Sequence, residues 1–324
     1  MRVLIISNKS DITTDLVVRK LTNRHIDFYR FNTEELCRSV DIHFDFNFSK
    51  YYLSDSLKGI TIDLSTVTSV YFRRPELPTF DNDELTTGET IFIKRELAYT
   101  LEGIYKILNN AYWISPVYAI REAENKIFQL EIAKKLGFDI PQSIISNNPT
   151  QVNDFVSANN SCIIKPIKSG LIEDEANQKV VFTSTLNKKW ISKKELATCP
   201  AYLQNNIKKQ KDIRVTVVGC KVFAMSIDSQ CEEEAQTDWR KSSKILKYEA
   251  IEIPKDIQNK CITLLRELNL NFGAIDFILN SVGQYIFLEI NPNGQWGWVE
   301  QQVGYDISGE IANLLENGNM GKYS

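Results

Sequence analysis

The sequence predicts an α/β protein with α+β lobes, in three parts covering residues 1–116, 117–199 and 200–324. Three observations carry this. Strand and helix signals alternate through the first 115 residues, a well-terminated helix opens the middle of the chain, and strand pairs dominate the last third. At 324 residues the chain also exceeds what one small core holds.

In the first part, Val3–Ser7 is a short apolar run, 12–24 repeats with helical spacing, and Asp27–Phe31 reads as a second strand. His43–Phe48 alternates strictly, as a half-exposed strand does. Strands over Gly59–Leu64 and Ser69–Arg73 follow, then a polar loop from Pro75 to Gly88 and a helix near 90–109. The series resembles a small wound domain but has no GxGxxG turn, so nothing here supports a nucleotide.

In the second part, a helix over 122–136 carries Ile127, Leu130, Ala133 and Leu136 and stops at Gly137, with Pro141 beyond. A strand at Ile144–Ser146, a helix at 151–158 and a strand at Cys162–Lys165 come next. Lys168–Lys179 is polar and reads as a mobile tip, with Val180–Thr183 returning as the second arm of a hairpin. In the third part, Asp212–Val218 and Lys221–Asp228 flank the turn Gly219-Cys220. An amphipathic helix over 255–270, paired strands at Gly273–Leu279 and Tyr285–Asn291, and a helix near 306–316 complete the chain.

Composition narrows the chemistry. Hydrophobic residues make up 43% and charged residues 24%, as in ordinary soluble globular proteins. The 38 basic and 41 acidic residues leave a net charge of −3, which disfavours nucleic acid as the main partner. No apolar stretch approaches the ~20 residues that span a bilayer, and MRVLIISNKSD reads as a buried strand rather than a signal peptide. No membrane partner is expected. The six cysteines are scattered without a CxxC pair, as reduced thiols of a cytoplasmic protein are. Only two histidines exist, which nearly excludes a His-based triad or a His-rich zinc site. The chemistry must therefore use carboxylates, lysines, arginines, hydroxyls or a borrowed cofactor.

The stretch GAIDFILNSVGQYIFLEINPNGQW, residues 273–296, is the most informative. If its two strands pair across the loop Ser281–Gln284, Asp276 faces Glu289 and Asn291 shares the face of Glu289. Opposed like charges destabilise a sheet unless a counter-ion joins them. Two carboxylates and an amide oxygen are hard ligands suited to Mg²⁺ shared with phosphate. An exposed, merely solvated face is the alternative, although both strands are apolar around these residues, as in a covered sheet.

Four cations add to this. Lys165, in Cys162-Ile-Ile-Lys165-Pro166, is aimed into a cleft by the proline exit or snorkels to water. Lys126 follows Asn125 at the positive end of a helix, where a cation is slightly unfavourable and hints at an anionic partner. Arg214 ends an extended segment that begins at Tyr202. Arg240, in Asp228-Ser-Gln230 … Asp238-Trp-Arg240, offers a fork to a carboxylate or phosphoryl group, or makes a surface ion pair.

Taken in order, NK…QL..A..LGF.IP, IIKP, DIRV.VVG, GAIDFI and LEINPNGQW resemble the ATP-grasp superfamily over roughly residues 113–300. The resemblance implies an ATP-grasp fold: an N-terminal α/β pre-ATP-grasp domain, a central lid domain and a C-terminal antiparallel-sheet domain with the ATP and Mg²⁺ site. It implies that Lys126 and Lys165 contact ATP phosphates, and that Gln204 and the backbone around Ile207 border the adenine. Arg214 would hold the γ-phosphate or an acyl phosphate. Asp276, Glu289 and Asn291 would bind Mg²⁺, with Asn291 also at the nucleotide.

Two further stretches, Val70-Tyr-Phe-Arg-Arg-Pro-Glu76 and Ile227-Asp-Ser-Gln … Asp238-Trp-Arg240, resemble the graspetide macrocyclases of the microviridin and plesiocin types. That resemblance implies a ligase that phosphorylates Asp or Glu side chains of a ribosomal precursor peptide, releasing ADP. It would join them to Ser/Thr hydroxyls or Lys amines of the same peptide. Arg214 and Arg240 would orient the acid, and Asp238, or failing it Asp228 or Asp212, would take the proton. Glu173 and Asp174 near the hairpin tip would present acids to a leader segment or stay solvated. Arg73 and Arg74 would face the cleft or tie the first lobe to the third. Ligases of this kind are often homodimers. Two other readings stand: a ligase adding a free amino acid to a protein or metabolite, and a nucleotide-binding scaffold without catalysis. The scaffold reading is opposed by a competent residue at every expected phosphate and metal position.

Overall fold

The computed structural model describes residues 2–80, 85–168, 170–174, 177–186 and 191–318, with only the backbone of those between 171 and 178. The chain forms two compact units. One contains Met1–Ile120, Asn269–Phe272 and Gln295–Ser324; the other contains Arg121–Leu268 and Gly273–Gly294.

The first unit is built on a parallel sheet. Arg2–Ser7 lies between Phe28–Asn32 and Val67–Phe72, and Tyr112–Trp113 extends the latter edge. Val3, Leu4, Ile5 and Ile6 are all fully buried, the continuous apolar run of a strand covered on both faces. The Ile12–Asn23 helix starts where Asp11 accepts a hydrogen bond from the Thr13 amide. It packs against the last helix, Ile307–Asn317, which is tied to the sheet by Ser69 Oγ donating to the Leu315 carbonyl at 2.6 Å.

Beside it, Val40–Asp45, Lys50–Asp55 and Ile60–Asp63 form an antiparallel sheet. The strand expected over 43–48 ends at Asp45, although its alternation continues. Asp45 Oδ1 accepts from the amides of Asn47 and Phe48 and Ser49 turns left-handed (φ 52°), so the chain reverses and leaves Phe46 and Phe48 exposed.

The second unit holds two main sheets. The first runs Ser184–Thr185, Cys162–Lys165, Ala201–Asn205, Ser143–Ser146, all antiparallel. The second runs Lys247–Ile251, Lys221–Asp228, Lys209–Val218, Phe272–Asn280, Tyr285–Asn291. Gly219 (φ 58°) makes the tight turn between Val218 and Lys221, a left-handed position that suits glycine. The amphipathic Lys255–Glu267 helix buries Cys261, Leu264 and Leu265, and Phe138 packs its ring 5.8 Å from Phe277 and 5.3 Å from Phe287.

Two expectations are corrected here. The helix expected over 122–136 is two, Val117–Ala123 and Lys126–Lys135, parted where Asn125 turns extended and its side chain caps the amides of Ile127 and Phe128. The hairpin lies within the stretch read as a polar tip: Leu171–Asp174 pairs with Asn177–Val180, and the return strand to Cys162–Lys165 is Ser184–Thr185.

All six cysteines are free; Cys37, Cys199, Cys220 and Cys231 are exposed, and Cys162 and Cys261 are buried. Burial pushes both buried thiols up, Cys261 to about 12, and the thiolate is the reactive form. An aromatic disulfide reagent is therefore expected to titrate four thiols quickly in the native protein and the other two only on unfolding. Rapid labelling of six would contradict the described core.

Candidate active site

The last strand pair supplies the centre of the site. Asp276 stands directly opposite Glu289, as expected, but by a compensated route. Near the loop Leu279 pairs with Tyr285, one residue away from the expected register. A bulge between Asp276 and Phe277 then restores it, so Ala274 faces Asn291 and Asp276 faces Glu289.

The surrounding cations treat the two carboxylates differently. Arg214 Nη1 donates to both oxygens of Asp276 at 2.9 Å, and Arg214 Nε is buried without an acceptor. Burial pushes Asp276 above the usual carboxylate range, helped by Glu289 and opposed by Arg214. Burial acts on Glu289 in the same sense, but Lys165, Lys126 and Arg240 outweigh it and draw the group down to about 2. Two opposed acids with pKa values driven apart are a frequent mark of a working site.

Lys126, the first residue of its helix, reaches Glu289 Oε2 at 3.0 Å and the Pro166 carbonyl at 3.3 Å. The anion hinted at by its placement is thus Glu289. The Lys126 ammonium is the partner the structure gives the buried Glu289 Oε2. The helix is pinned to this strand by Gln129, which is 2% exposed. Its Nε2 donates to the carbonyls of Ala123 and Ile290 (2.6 and 2.8 Å) and its Oε1 accepts from the Ile290 amide at 3.1 Å.

Lys165 comes from the other sheet. Its Nζ donates to Gln204 Oε1 at 3.3 Å and lies 5.5 Å from the Tyr202 ring centroid. Burial draws its ammonium below the usual lysine value, opposed by Glu289 and aided by Lys126 and Arg240. Gln204 is fully buried, and its Nε2 donates to Ser143 Oγ at 2.9 Å and Tyr202 OH at 2.7 Å. Half-buried Ile207, with Ile163, Ile278 and Leu288, gives the adjoining cavity apolar walls.

Arg240 and Asp238 form a fork. Arg240 Nε and Nη2 donate to Asp238 Oδ1 and Oδ2, each at 2.8 Å, and the Arg240 amide joins at 3.2 Å. The Asp238 side chain is 3% exposed and that of Arg240 52%. Burial opposes ionisation of Asp238, but Arg240 more than offsets it and holds the carboxyl below its usual value. That makes Asp238 a firm holder of Arg240 and a weak base.

Sequence reasoning named Asp212 only as a fallback proton acceptor and missed Lys209, its buried partner beside this fork. Lys209 Nζ donates to both oxygens of Asp212 (2.9 and 2.7 Å), and Ser229 Oγ donates to Asp212 Oδ2. Burial pushes Asp212 up despite Lys209. Lys208, Lys209 and Lys211 stand in one polar run, and alternation alone does not mark which of them turns inward.

The remaining assigned residues lie elsewhere. Arg73, in the first unit, is 1% exposed; it lies 3.3 Å from Asp11 Oδ2 and donates to Gln295 Oε1 at 2.6 Å. Arg74 is exposed with φ 45°. Glu173 and Asp174 fall in the Leu171–Asp174 strand, and their side chains lie outside the described residues.

Two observations bear on a metal. Among the described residues no three His, Cys, Asp or Glu side chains form a cage. Mg²⁺ does not need one, since it is commonly held by one or two carboxylates plus substrate phosphates. The Glu289 carboxylate, directly opposite Asp276 and two residues from Asn291, supplies hard oxygens of the kind such a cation takes.

Comparison with known proteins finds two family matches along most of the chain. Residues 2–121 match the MvdD pre-ATP grasp domain and residues 123–315 the RimK-like ATP-grasp domain. A Chryseobacterium gregarium RiPP-associated ATP-grasp ligase, solved with ADP and a leader and core peptide, is 30% identical. It superposes with a TM-score of 0.89 over 98% of this chain and 97% of its own. The macrocyclase MdnC of Microcystis aeruginosa MRC, bound with its precursor peptide MdnA, is 27% identical with a TM-score of 0.83, covering 98% and 100%. Among curated sequences, a probable alpha-L-glutamate ligase of Desulfotalea psychrophila is 23% identical over 61% of this chain. The chain spans less than half the length of the first such relatives it matches, 42% in that case.

Proposed function

The chain belongs to the RimK-like ATP-grasp family, and from that premise we propose that it is an ADP-forming ligase that closes rings in a ribosomal precursor peptide. The observation that carries the reading is one cluster of Asp276, Glu289, Lys126, Lys165, Arg214 and Arg240 within a single compact unit. The likeness to a peptide-bound RiPP-associated ligase along nearly all of both chains supports the substrate class.

In this reading Asp276, Glu289 and Asn291 hold Mg²⁺, which neutralises charge on the transferring phosphoryl group. Lys126 and Lys165 bind ATP phosphates, and Gln204 and Ile207 border the adenine. An Asp or Glu oxygen of the peptide attacks the γ-phosphorus, ADP leaves, and an acyl phosphate forms on the peptide. Arg214 Nε, buried without an acceptor, and the half-exposed fork of Arg240 orient that group. A hydroxyl or amine of the same peptide then attacks the acyl carbon and phosphate leaves. Its proton passes to solvent, with Asp238 kept as the assigned acceptor although its fork to Arg240 weakens it as a base. Ring closure gains from holding both reactants on one bound chain. Arg73, Arg74, Glu173 and Asp174 stay assigned to the leader or substrate side.

No described helix is long and apolar enough to cross a membrane. With six free thiols, we place the protein in the cytoplasm.

A second reading has support in the curated relatives, which are named as probable glutamate ligases: addition of a free amino acid. Intact mass decides between them. Protein, Mg²⁺, ATP and precursor peptides encoded beside its gene are expected to yield peptide lighter by one water per linkage. A gain of residue mass would replace the proposal with amino-acid addition, and unchanged peptide despite ATP consumption would remove the peptide assignment.

A further inference from the structure

We propose that Arg74 docks a carboxylate of the precursor peptide on the first unit, an inference that rests on the peptide reading above. Arg74 stands just past the Val67–Phe72 strand, at the carboxyl end of the parallel sheet. The strand order reverses there, since Phe28–Asn32 and Val67–Phe72 flank Arg2–Ser7 on opposite sides. Open α/β sheets take their ligands in the crevice at such a point. The residue is also held against its preference. Its φ of 45° is left-handed backbone, and Pro75 pushes the residue before it toward extended backbone. Neighbours clamp it in place. The Arg73 amide donates to the Ile6 carbonyl at 2.7 Å, and Asn8 Nδ2 donates to the Arg74 carbonyl at 2.6 Å. Just beyond, Thr33 Oγ1 donates to the Glu76 carbonyl at 2.7 Å. Backbone outliers fixed in this way collect at ligand-binding positions.

The side chain returns nothing to the fold for this strain. Arg74 is exposed, and its guanidinium has no hydrogen bond or ion pair among the described residues. The acid nearest to hand is already engaged: Asp11 lies against the buried Arg73 and accepts from the Thr13 amide and the Thr14 hydroxyl. Arg73 itself is held by Asp11 and Gln295. Arg74 therefore stands beside a second cation with its own fork unfilled. Such a fork suits a carboxylate gripped at two points. This part of the chain has no glycine-rich turn for a phosphate. Besides the nucleotide, the anions that the proposed reaction brings are the Asp and Glu side chains of the peptide.

The test compares wild type, Arg74→Gly and Arg74→Asn, two residues that accept left-handed backbone, in thermal melting and in peptide binding. The probe is the labelled precursor peptide encoded beside the gene, followed by fluorescence anisotropy without ATP. Both variants are expected to melt no lower than the wild type and to bind the peptide roughly tenfold or more weakly, the loss of one charge-assisted contact. Two further peptides locate the acid: one with its ring-forming Asp and Glu changed to amides, the other with its remaining acids so changed. The peptide on which wild type and variants bind alike has lost the carboxylate that Arg74 grips. Equal binding of the unaltered peptide by all three proteins would overturn the assignment, as would a difference that survives both sets of amides. Lower melting of both variants would also overturn it, by making Arg74 a support of the fold. If the wild type binds no precursor at all, the peptide reading fails, and this inference with it; a wild type that binds while the variants match it sinks this inference alone.

Discussion

Glu289→Gln is expected to lower ATP turnover by roughly 10³-fold or more, the several kcal/mol that a metal ion contributes at a transferring phosphoryl group. At neutral pH Glu289 is ionised with a wide margin, since its pKa of about 2 lies far below any working pH. The amide keeps the shape and removes the charge. On the proposed reading it therefore takes away a hard metal ligand, and it also removes the counter-charge between Lys126 and Lys165. ADP formation in the presence of peptide is the measurement. Near-normal turnover would dissociate this carboxylate from the chemistry. Asp276→Ala also loses activity, but for a mixed reason: it leaves the buried guanidinium of Arg214 unpaired, which costs about 3–5 kcal/mol of stability. Glu289→Gln separates catalysis from folding more cleanly.

Arg240→Met is the second large effect. Its product formation is expected to fall roughly 10²-fold, the loss typical of one preorganised donor to developing negative charge, with ATP affinity within a few-fold of normal. Arg240 lies half in solvent while Asp238, which fixes its plane by two parallel hydrogen bonds, is buried. That is how a fork is held ready for a group arriving from outside. Arg240→Lys should recover little, because a point charge cannot match the two-point grip. An unchanged rate with either variant, at a saturating precursor concentration, would move Arg240 out of the reacting centre and leave Asp238 as a structural partner.

The legible and illegible parts of this chain divide on physical grounds. Cys162–Lys165 and Tyr285–Asn291 were readable to the residue because apolar runs, proline or turn signals bound them. The facing of Asp276 and Glu289 was readable although a bulge intervenes, because a displaced loop register offsets it. Side-chain alternation carries no record of such a pair of offsets. Lys247–Ile251 and Ala201–Asn205 are short and take their pairing from neighbours distant in sequence. The hairpin of Leu171–Asp174 with Asn177–Val180 has its apolar residues only at Leu171, Ile172 and Val180, too few to set a period. Lys209 escaped because its inward turn depends on Asp212 and on Ser229, twenty residues on.

The pin made by Gln129 gives Lys126 and Lys165 different footings. Lys126 is anchored through that carboxamide to the strand of Glu289, while Lys165 rides on the opposite sheet against Tyr202. On the proposed reading, a polyphosphate that touches both lysines bridges the two sheets of this unit. On that reading, transfer of the terminal phosphate shortens the bridge as the acyl phosphate forms, so the step that arms the substrate also weakens the hold on the spent nucleotide.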